Sequence, residues 1–283
     1  MLKNTFLHIP GIGAKLEKKL WDLGIVDWGC VTVDNLCKLS PKRIETINNY
    51  TKESLKHLAD NNPGYFSNLL PSSEHWRIFS KFRASTAYLD IETTGLEMWE
   101  DITTIALYDG KRIKYYVQGQ NLDDFIDDIE KYNVIVTYNG KCFDVPFIEE
   151  HFRTKLNHSH IDLRYVLKSL GYAGGLKMCE KALEIDRGDL DGVDGYFAVL
   201  LWYDYKQNKN EKALETLLAY NIEDVINLEI LMVMAHNMKI KDTPFYDSQQ
   251  LPLPQVVDIP FKPDPGTIDQ IKRMSRVMPL TPG

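Results

Sequence analysis

Leu89-Asp90-Ile91-Glu92-Thr93-Thr94-Gly95-Leu96 sets two acids one residue apart at the end of an apolar run. In a β-strand, side chains i and i+2 leave the same face, so Asp90 and Glu92 project together from a segment, 87–89, that otherwise reads as buried. Two neighbouring carboxylates repel, and burying them is costly unless a proton or a cation intervenes. A divalent metal resolves that conflict. Taken alone, the same segment could be an edge strand with two solvated acids, so the choice rests on the rest of the chain.

The flanking sequence has strand texture. Spans 87–91, 102–108 and 113–117 are short apolar or alternating runs, with Asp109-Gly110 as a hairpin turn between the last two. A helix is predicted over 122–131, followed by the compact apolar strand Val134-Ile135-Val136-Thr137-Tyr138. Strand, hairpin, helix and strand in this order predict an α/β fold with a mixed sheet. Beyond 144 the pattern is helical, with helices expected over 145–156, 163–170, 177–183, 195–207 and a long one over 211–238.

Upstream, His8-Ile9-Pro10-Gly11-Ile12-Gly13 reads as a turn that opens a helix. Residues 14–23 are good helix formers with Leu16, Leu20 and Leu23 on one face, and Gly24 supplies a stop. Further short helices are expected over 36–39 and 44–58. Asn61-Asn62-Pro63-Gly64 and Leu70-Pro71-Ser72-Ser73 are strong breakers. The chain therefore divides into a small all-helical domain (1–62), a linker (63–83), the α/β domain (84–240) and a Pro-rich extension (241–283), expected to be an extended or disordered arm. There is no internal repeat.

Composition narrows the class. The 283 residues are 44% hydrophobic and 26% charged, ordinary for a globular chain. No apolar run nears the ~20 residues that span a bilayer, and the N-terminus lacks a signal peptide's apolar core. Cys30, Cys37, Cys142 and Cys179 show no CxxC spacing and read as reduced thiols, which suggests a cytoplasmic protein. The net charge of -7 argues against a broad nucleic-acid-coating surface, yet not against a nuclease, whose acids gather at its centre.

Two further segments bear on the acid pair. Asn139-Gly140-Lys141-Cys142-Phe143-Asp144-Val145-Pro146 puts Asp144 at a helix start, where it could serve as an N-cap or a metal ligand. In Tyr220-Asn221-Ile222-Glu223-Asp224, Tyr220 and Asp224 lie one turn apart on one helix face, which could be a solvated face or part of a site.

Acid pair, post-turn acid and Tyr-x-x-x-Asp helix, in that order, resemble the DEDD superfamily of 3′–5′ exonucleases. The resemblance is to its tyrosine subfamily, and within it to the YprB-like branch, over residues 75–238. Asp162-Leu163-Arg164 and Gly175-Leu176-Lys177 add to it. Position 219, where the histidine subfamily would carry its His, is Ala219.

The resemblance implies an RNase-H-like sheet flanked by helices and a two-metal phosphodiester hydrolase acting on 3′ ends of single-stranded DNA or RNA. Asp90, Glu92, Asp144 and Asp224 would hold two Mg²⁺ or Mn²⁺ ions, in keeping with their oxygen-only chemistry. Tyr220 would hold the attacking water. Thr93, Gly95 and Leu96 would abut the terminal nucleotide, or simply end the strand. Asn139 would touch the nucleotide backbone or fix its own turn, and Lys177 would meet a phosphate or sit solvated on its helix. The rival expectations are a nucleic-acid-binding scaffold whose acids no longer turn over, and a structure-selective endonuclease.

The N-terminal turn resembles a helix-hairpin-helix element, in which Gly11, Gly13 and Lys15 would face a nucleic-acid phosphate. With nine Lys/Arg against seven Asp/Glu over residues 1–60, this region is only mildly basic, and protein docking is the alternative. The C-terminal extension is a second candidate for a protein partner. Trp76, Phe79 and Phe82 could stack on bases, or pack the linker onto the core.

Overall fold

The computed structural model describes residues 1–31, 39–187 and 195–277, the last four by backbone alone. The helix expected over 36–39, save Leu39, and Cys37 lie outside the described residues.

Five strands, β1 (Thr86–Thr93), β2 (Ile102–Tyr108), β3 (Ile113–Val117), β4 (Val134–Thr137) and β5 (Ser159–Asp162), form one sheet of order β3-β2-β1-β4-β5. β1 pairs antiparallel with β2 and parallel with β4, and β4 pairs parallel with β5. The mixed α/β sheet expected from the sequence is present. The fifth strand was not anticipated, because Ser159-His160-Ile161-Asp162 is short and all but Ile161 is polar. It is defined by pairing with β4 and by a 2.8 Å contact between His160 Nε2 and Thr137 Oγ1.

The side-chain alternation of β1 divides the protein. Ala87, Leu89 and Ile91 join an apolar cluster with Phe125, Ile129, Phe147 and Ile148 on one face. Tyr88 faces the other way, into the larger cluster containing Leu217, Val225 and Leu228. Asp90 and Glu92 share Tyr88's parity, so they point to the side covered by those last three residues.

Twelve helices surround the sheet among the described residues. They are α1 (Ala14–Asp22), α2 (Pro41–Ala59), α3 (Pro63–Leu69), α4 (Trp76–Phe82), α5 (Phe125–Ile129), α6 (Asp144–His151), α7 (Leu163–Ser169), α8 (Leu176–Ala182), α9 (Gly195–Asn208), α10 (Glu211–Ile240), α11 (Tyr246–Gln249) and α12 (Pro265–Val277). α10 runs 30 residues without Pro or Gly and is buried on most of its circumference, its apolar residues being spread around the helix rather than gathered in one stripe. Each fully buried Leu or Val on it contributes about 1.5–3 kcal/mol. This helix carries Tyr220 and Asp224 and packs against β1 and β2. No helix is long and apolar enough to cross a membrane among the described residues.

The stretch 63–83, expected as a linker, is largely helical and contributes to the core. Phe66, Trp76, Phe79 and Phe82 are buried in the same cluster as Leu2, Leu20 and Met232. Burial removes Trp76, Phe79 and Phe82 from any stacking role. The N-terminal helices are tied to this stretch by Glu17 of α1. Its carboxylate accepts from the backbone N–H of Phe6 at 2.6 Å and of Leu7 at 3.1 Å, and pairs with Arg77 of α4 at 3.0 Å.

The C-terminal extension is extended over residues 250–259, as expected, but α11 and α12 stand on either side of that stretch. α12 buries Ile268 and Ile271, Phe261 meets Tyr115 edge-on at 4.9 Å, and Lys212 of α10 pairs with Asp264 at 3.0 Å. Apolar spacing at 268 and 271 marks one face of a short helix, which the surrounding prolines disguise.

Among the histidines whose pKa burial lowers, His8 and His236 illustrate the pH dependence this gives the fold. His8 meets Ser54 Oγ at 2.7 Å, and burial, aided by the charge of Arg77, lowers its pKa to about 4. Burial lowers His236 to about 4 as well, against the contact with the Gln249 carbonyl. Both rings stay neutral in the fold but protonate near pH 6.5 when unfolded, so the unfolded chain binds more protons between those values. The contribution of these two rings should therefore turn destabilising as pH drops from about 6.5 to 4, and is absent above about pH 7. In urea unfolding, His8→Gln should lose about 2–3 kcal/mol less than wild type between pH 7 and 4.5. Equal losses would contradict the assignment.

Candidate metal centre

The parallel pairing of β1 with β4 ends at Tyr88–Val136, so β1 runs on past its neighbour. Asp90 to Glu92 project beyond the carboxyl end of β4, where α/β sheets open a crevice. A cleft of about 650 Å³ lies there, with Asp90, Glu92, Asp144, Tyr220 and Asp224 among its lining residues. Three segments far apart in the chain thus converge at one place.

Ligand oxygens of Asp90, Glu92 and Asp224 lie within 4.8 Å of one another. Asp144 stands beside this trio: its Oδ1 accepts the backbone N–H of Ile91 at 3.2 Å. That bond crosses to the β1 edge left unpaired by β4, and α6 begins at Asp144 itself with Phe143 as its cap residue. The N-cap reading of Asp144 is therefore replaced by a bridge between α6 and β1.

The electrostatics are those of a site built for a cation. Removal from water, then repulsion from Asp224, Asp144 and Glu92, pushes Asp90 well above the usual carboxylate range. Glu92 is raised by burial and Asp224, and Lys177 and Arg187 only partly offset this. Burial lifts Asp144 to about 7. Hard oxygen donors held this close, at such cost when ionised, fit a hard divalent cation. Tyr220 is raised well above 10 by burial and by Asp224, Glu92 and Asp90, so near neutrality it is a phenol, a donor rather than a base.

Side chains that the sequence reading did not single out hold the acids in place. Asn221 donates to Asp90 Oδ2 at 2.7 Å and accepts from Thr104 of β2 at 3.1 Å. Arg187 donates to Asp224 Oδ1 at 2.5 Å and to Glu180 Oε2 at 2.7 Å. Glu180 in turn accepts from Asn227 at 2.9 Å. The signal for Asn221 and Asn227 was present, since polar residues inside an otherwise apolar helix must find partners. Nothing local to Arg187 pointed to the site.

The loop after β4 is anchored by buried Asp162 at the end of β5. Its carboxylate accepts the backbone N–H groups of Asn139 at 2.8 Å, Lys141 at 3.1 Å and Arg164 at 3.0 Å. Asn139 has φ +68° and accepts from Arg164, so it fixes its own turn while also lining the cleft. Any residue larger than Gly140 would drive a Cβ to 2.3 Å from Thr137 Oγ1.

Thr93, Gly95 and Leu96 line the cleft, and Leu96 is 83% exposed. Thr93 Oγ1 donates to the Gly95 carbonyl at 2.5 Å, closing the strand-ending turn. Lys177 lines the cleft too, with its ammonium 4.6 Å from the Tyr220 ring centre, rather than standing on a solvated helix face. Gly11, Gly13 and Lys15 are not part of this lining. They sit at the exposed start of α1, where Gly11 has φ +81°.

A mixed five-stranded sheet whose central strand carries acids opposite an acid-bearing helix defines an RNase-H-like fold. Residues 87–236 match the profile of the RNase_H superfamily, and the chain belongs to that superfamily. Nuclease or other nucleic-acid chemistry is characteristic of this fold, and divalent metals generally serve it. A search of curated proteins finds no match.

Removing the Asp162 carboxylate leaves three backbone donors unpaired. Asp162→Ala should cost about 2–3 kcal/mol or more in chemical unfolding and speed proteolytic nicking between residues 138 and 143. Wild-type stability with unchanged cleavage would show that the loop is held by other contacts.

Proposed function

We propose that this protein is a metal-dependent 3′–5′ exonuclease that releases nucleoside monophosphates from single-stranded ends. The observation that carries this reading is the convergence of Asp90, Glu92, Asp144 and Asp224 with Tyr220 on one cleft. Asp90, Glu92 and Asp224 would hold one Mg²⁺ or Mn²⁺ ion, and Asp90 with Asp144 a second. When bound, the ions supply charge neutralisation at phosphorus, lower the pKa of the attacking water and stabilise the leaving 3′ oxygen.

The chain's own groups do the rest. The Tyr220 phenol holds its proton and orients the water, since repulsion from three carboxylates disfavours a phenolate. Thr93, Gly95 and Leu96 form the wall against which the terminal sugar and base rest. Lys177 lies where a phosphate oxygen would find a cation. The cleft volume lies in the usual range for small-ligand sites, which suits a frayed end rather than a duplex.

End-labelled single-stranded DNA and RNA with Mn²⁺ should shorten stepwise from the 3′ end, and excess chelator should stop it. A blocked 3′ end and a circular strand should both survive. Asp90→Ala and Asp224→Ala should abolish hydrolysis with the fold intact by circular dichroism, and Tyr220→Phe should lower kcat by about 100-fold. Cutting of the circle would make the enzyme an endonuclease. Retention of the strand without shortening would make it a binding protein, and full activity in Asp90→Ala would end the mechanism.

A further inference from the structure

Arg187 is the buried charge that the proposed chemistry leaves unused. Its side chain is 5% exposed, and it does not line the cleft. One nitrogen, Nη2, lies 2.5 Å from Asp224 Oδ1 and 3.5 Å from Glu223 Oε2, and Nη1 lies 2.7 Å from Glu180 Oε2. Glu180 belongs to α8 and is fixed from its other oxygen by Asn227, three residues beyond Asp224 on α10. The result is a chain of polar contacts, Asp224–Arg187–Glu180–Asn227, that starts and ends on α10 behind the acid trio.

We infer that Arg187 is a positioning residue: by taking Asp224 Oδ1, it orients the carboxylate so that Oδ2 is presented to the metal. A carboxylate at the end of two rotatable bonds can swing through several orientations. A planar guanidinium anchored at both ends removes that freedom in a way that a point charge cannot. The same guanidinium is a fixed cation beside Asp224 and Glu223, so the acids tolerate one another before any metal arrives. Groups that orient a ligand in this manner typically matter by 10- to 100-fold in metal affinity. The inference rests on the metal-centre reading above, and its test does not depend on nuclease activity.

Titration calorimetry with Mn²⁺ on the full chain, well below the melting temperature of each protein, reads the effect directly. Arg187→Lys keeps the charge but loses the fork, and Arg187→Gln loses both. Both should bind Mn²⁺ about 10- to 100-fold more weakly than wild type. Glu180→Gln keeps the shape of this chain of contacts and spares the fold if the Arg187 variants do not form it; it should weaken binding by a smaller factor. Where hydrolysis is measurable, kcat should fall while KM for the oligonucleotide stays unchanged.

Unchanged Mn²⁺ affinity with lowered thermal stability in chelator would reduce Arg187 to a structural ion pair and overturn the proposal. Tighter binding in Arg187→Gln would overturn it as well, because Arg187 would then only compete with the metal for charge. Wild type that binds Mn²⁺ yet never cleaves a strand would remove the nuclease reading while leaving Arg187 in its role. Wild type that binds no Mn²⁺ would remove the metal centre and this inference with it.

Discussion

Like charges brought together out of water set the terms for this molecule. Asp90, Glu92, Asp144 and Asp224 meet in one cleft, and Glu180 and Glu223 stand behind them, with Arg187 and Lys177 as the nearby fixed cations. Among the described residues, these carboxylates outnumber the cations that stand beside them. Burial raises Asp144, and burial with repulsion from neighbouring acids raises Asp90 and Glu92, so protonation can relieve part of that excess. Clusters of this kind concentrate at functional sites, and metal-assisted chemistry on a phosphodiester is the gain that the proposed function would assign to these donors.

The sheet register creates the place where this happens. β1 outruns β4, so the strand carrying the acid pair ends in open space with a free backbone edge. Asp144 occupies part of that edge through the Ile91 N–H, and the Asn139–Phe143 turn folds away over Thr137, which only glycine at position 140 permits. Asp162 then locks the turn from β5. The crevice is therefore a product of strand length and loop geometry, and the acids merely line it.

The N- and C-terminal segments brace α10, which delivers Tyr220 and Asp224. Trp76 and His236 meet edge-on at 5.5 Å, Lys212 holds Asp264, and the Glu17–Arg77 pair fastens α1 to α4. Glu17 illustrates a general point about lysine-rich helices. On its face α1 looks like a solvated surface element, yet its one interior acid satisfies two backbone donors and a buried guanidinium. Removing one partner of such a pair strands the other, typically at several kcal/mol. The segments around the sheet are thus part of the structural support of the site.

Much of the site could be read from residue order. Alternation along 87–93 placed Asp90 and Glu92 on one face, and a helix over 211–238 placed Tyr220 and Asp224 on another, because both periodicities are local properties of the backbone. The same locality explains the failures. Arg187 and Asn221 hold Asp224 and Asp90 from 37 and 131 residues away, and β5 forms by pairing with β4. Proline spacing in the tail suggested an extended or disordered arm, whereas α11 and α12 form there by packing against α10. Residue type and period alone determined which side chains share a face. Which faces meet, how dry the acids become and what neutralises them were decided by tertiary structure, since repulsion and burial depend on distances through space and not along the chain.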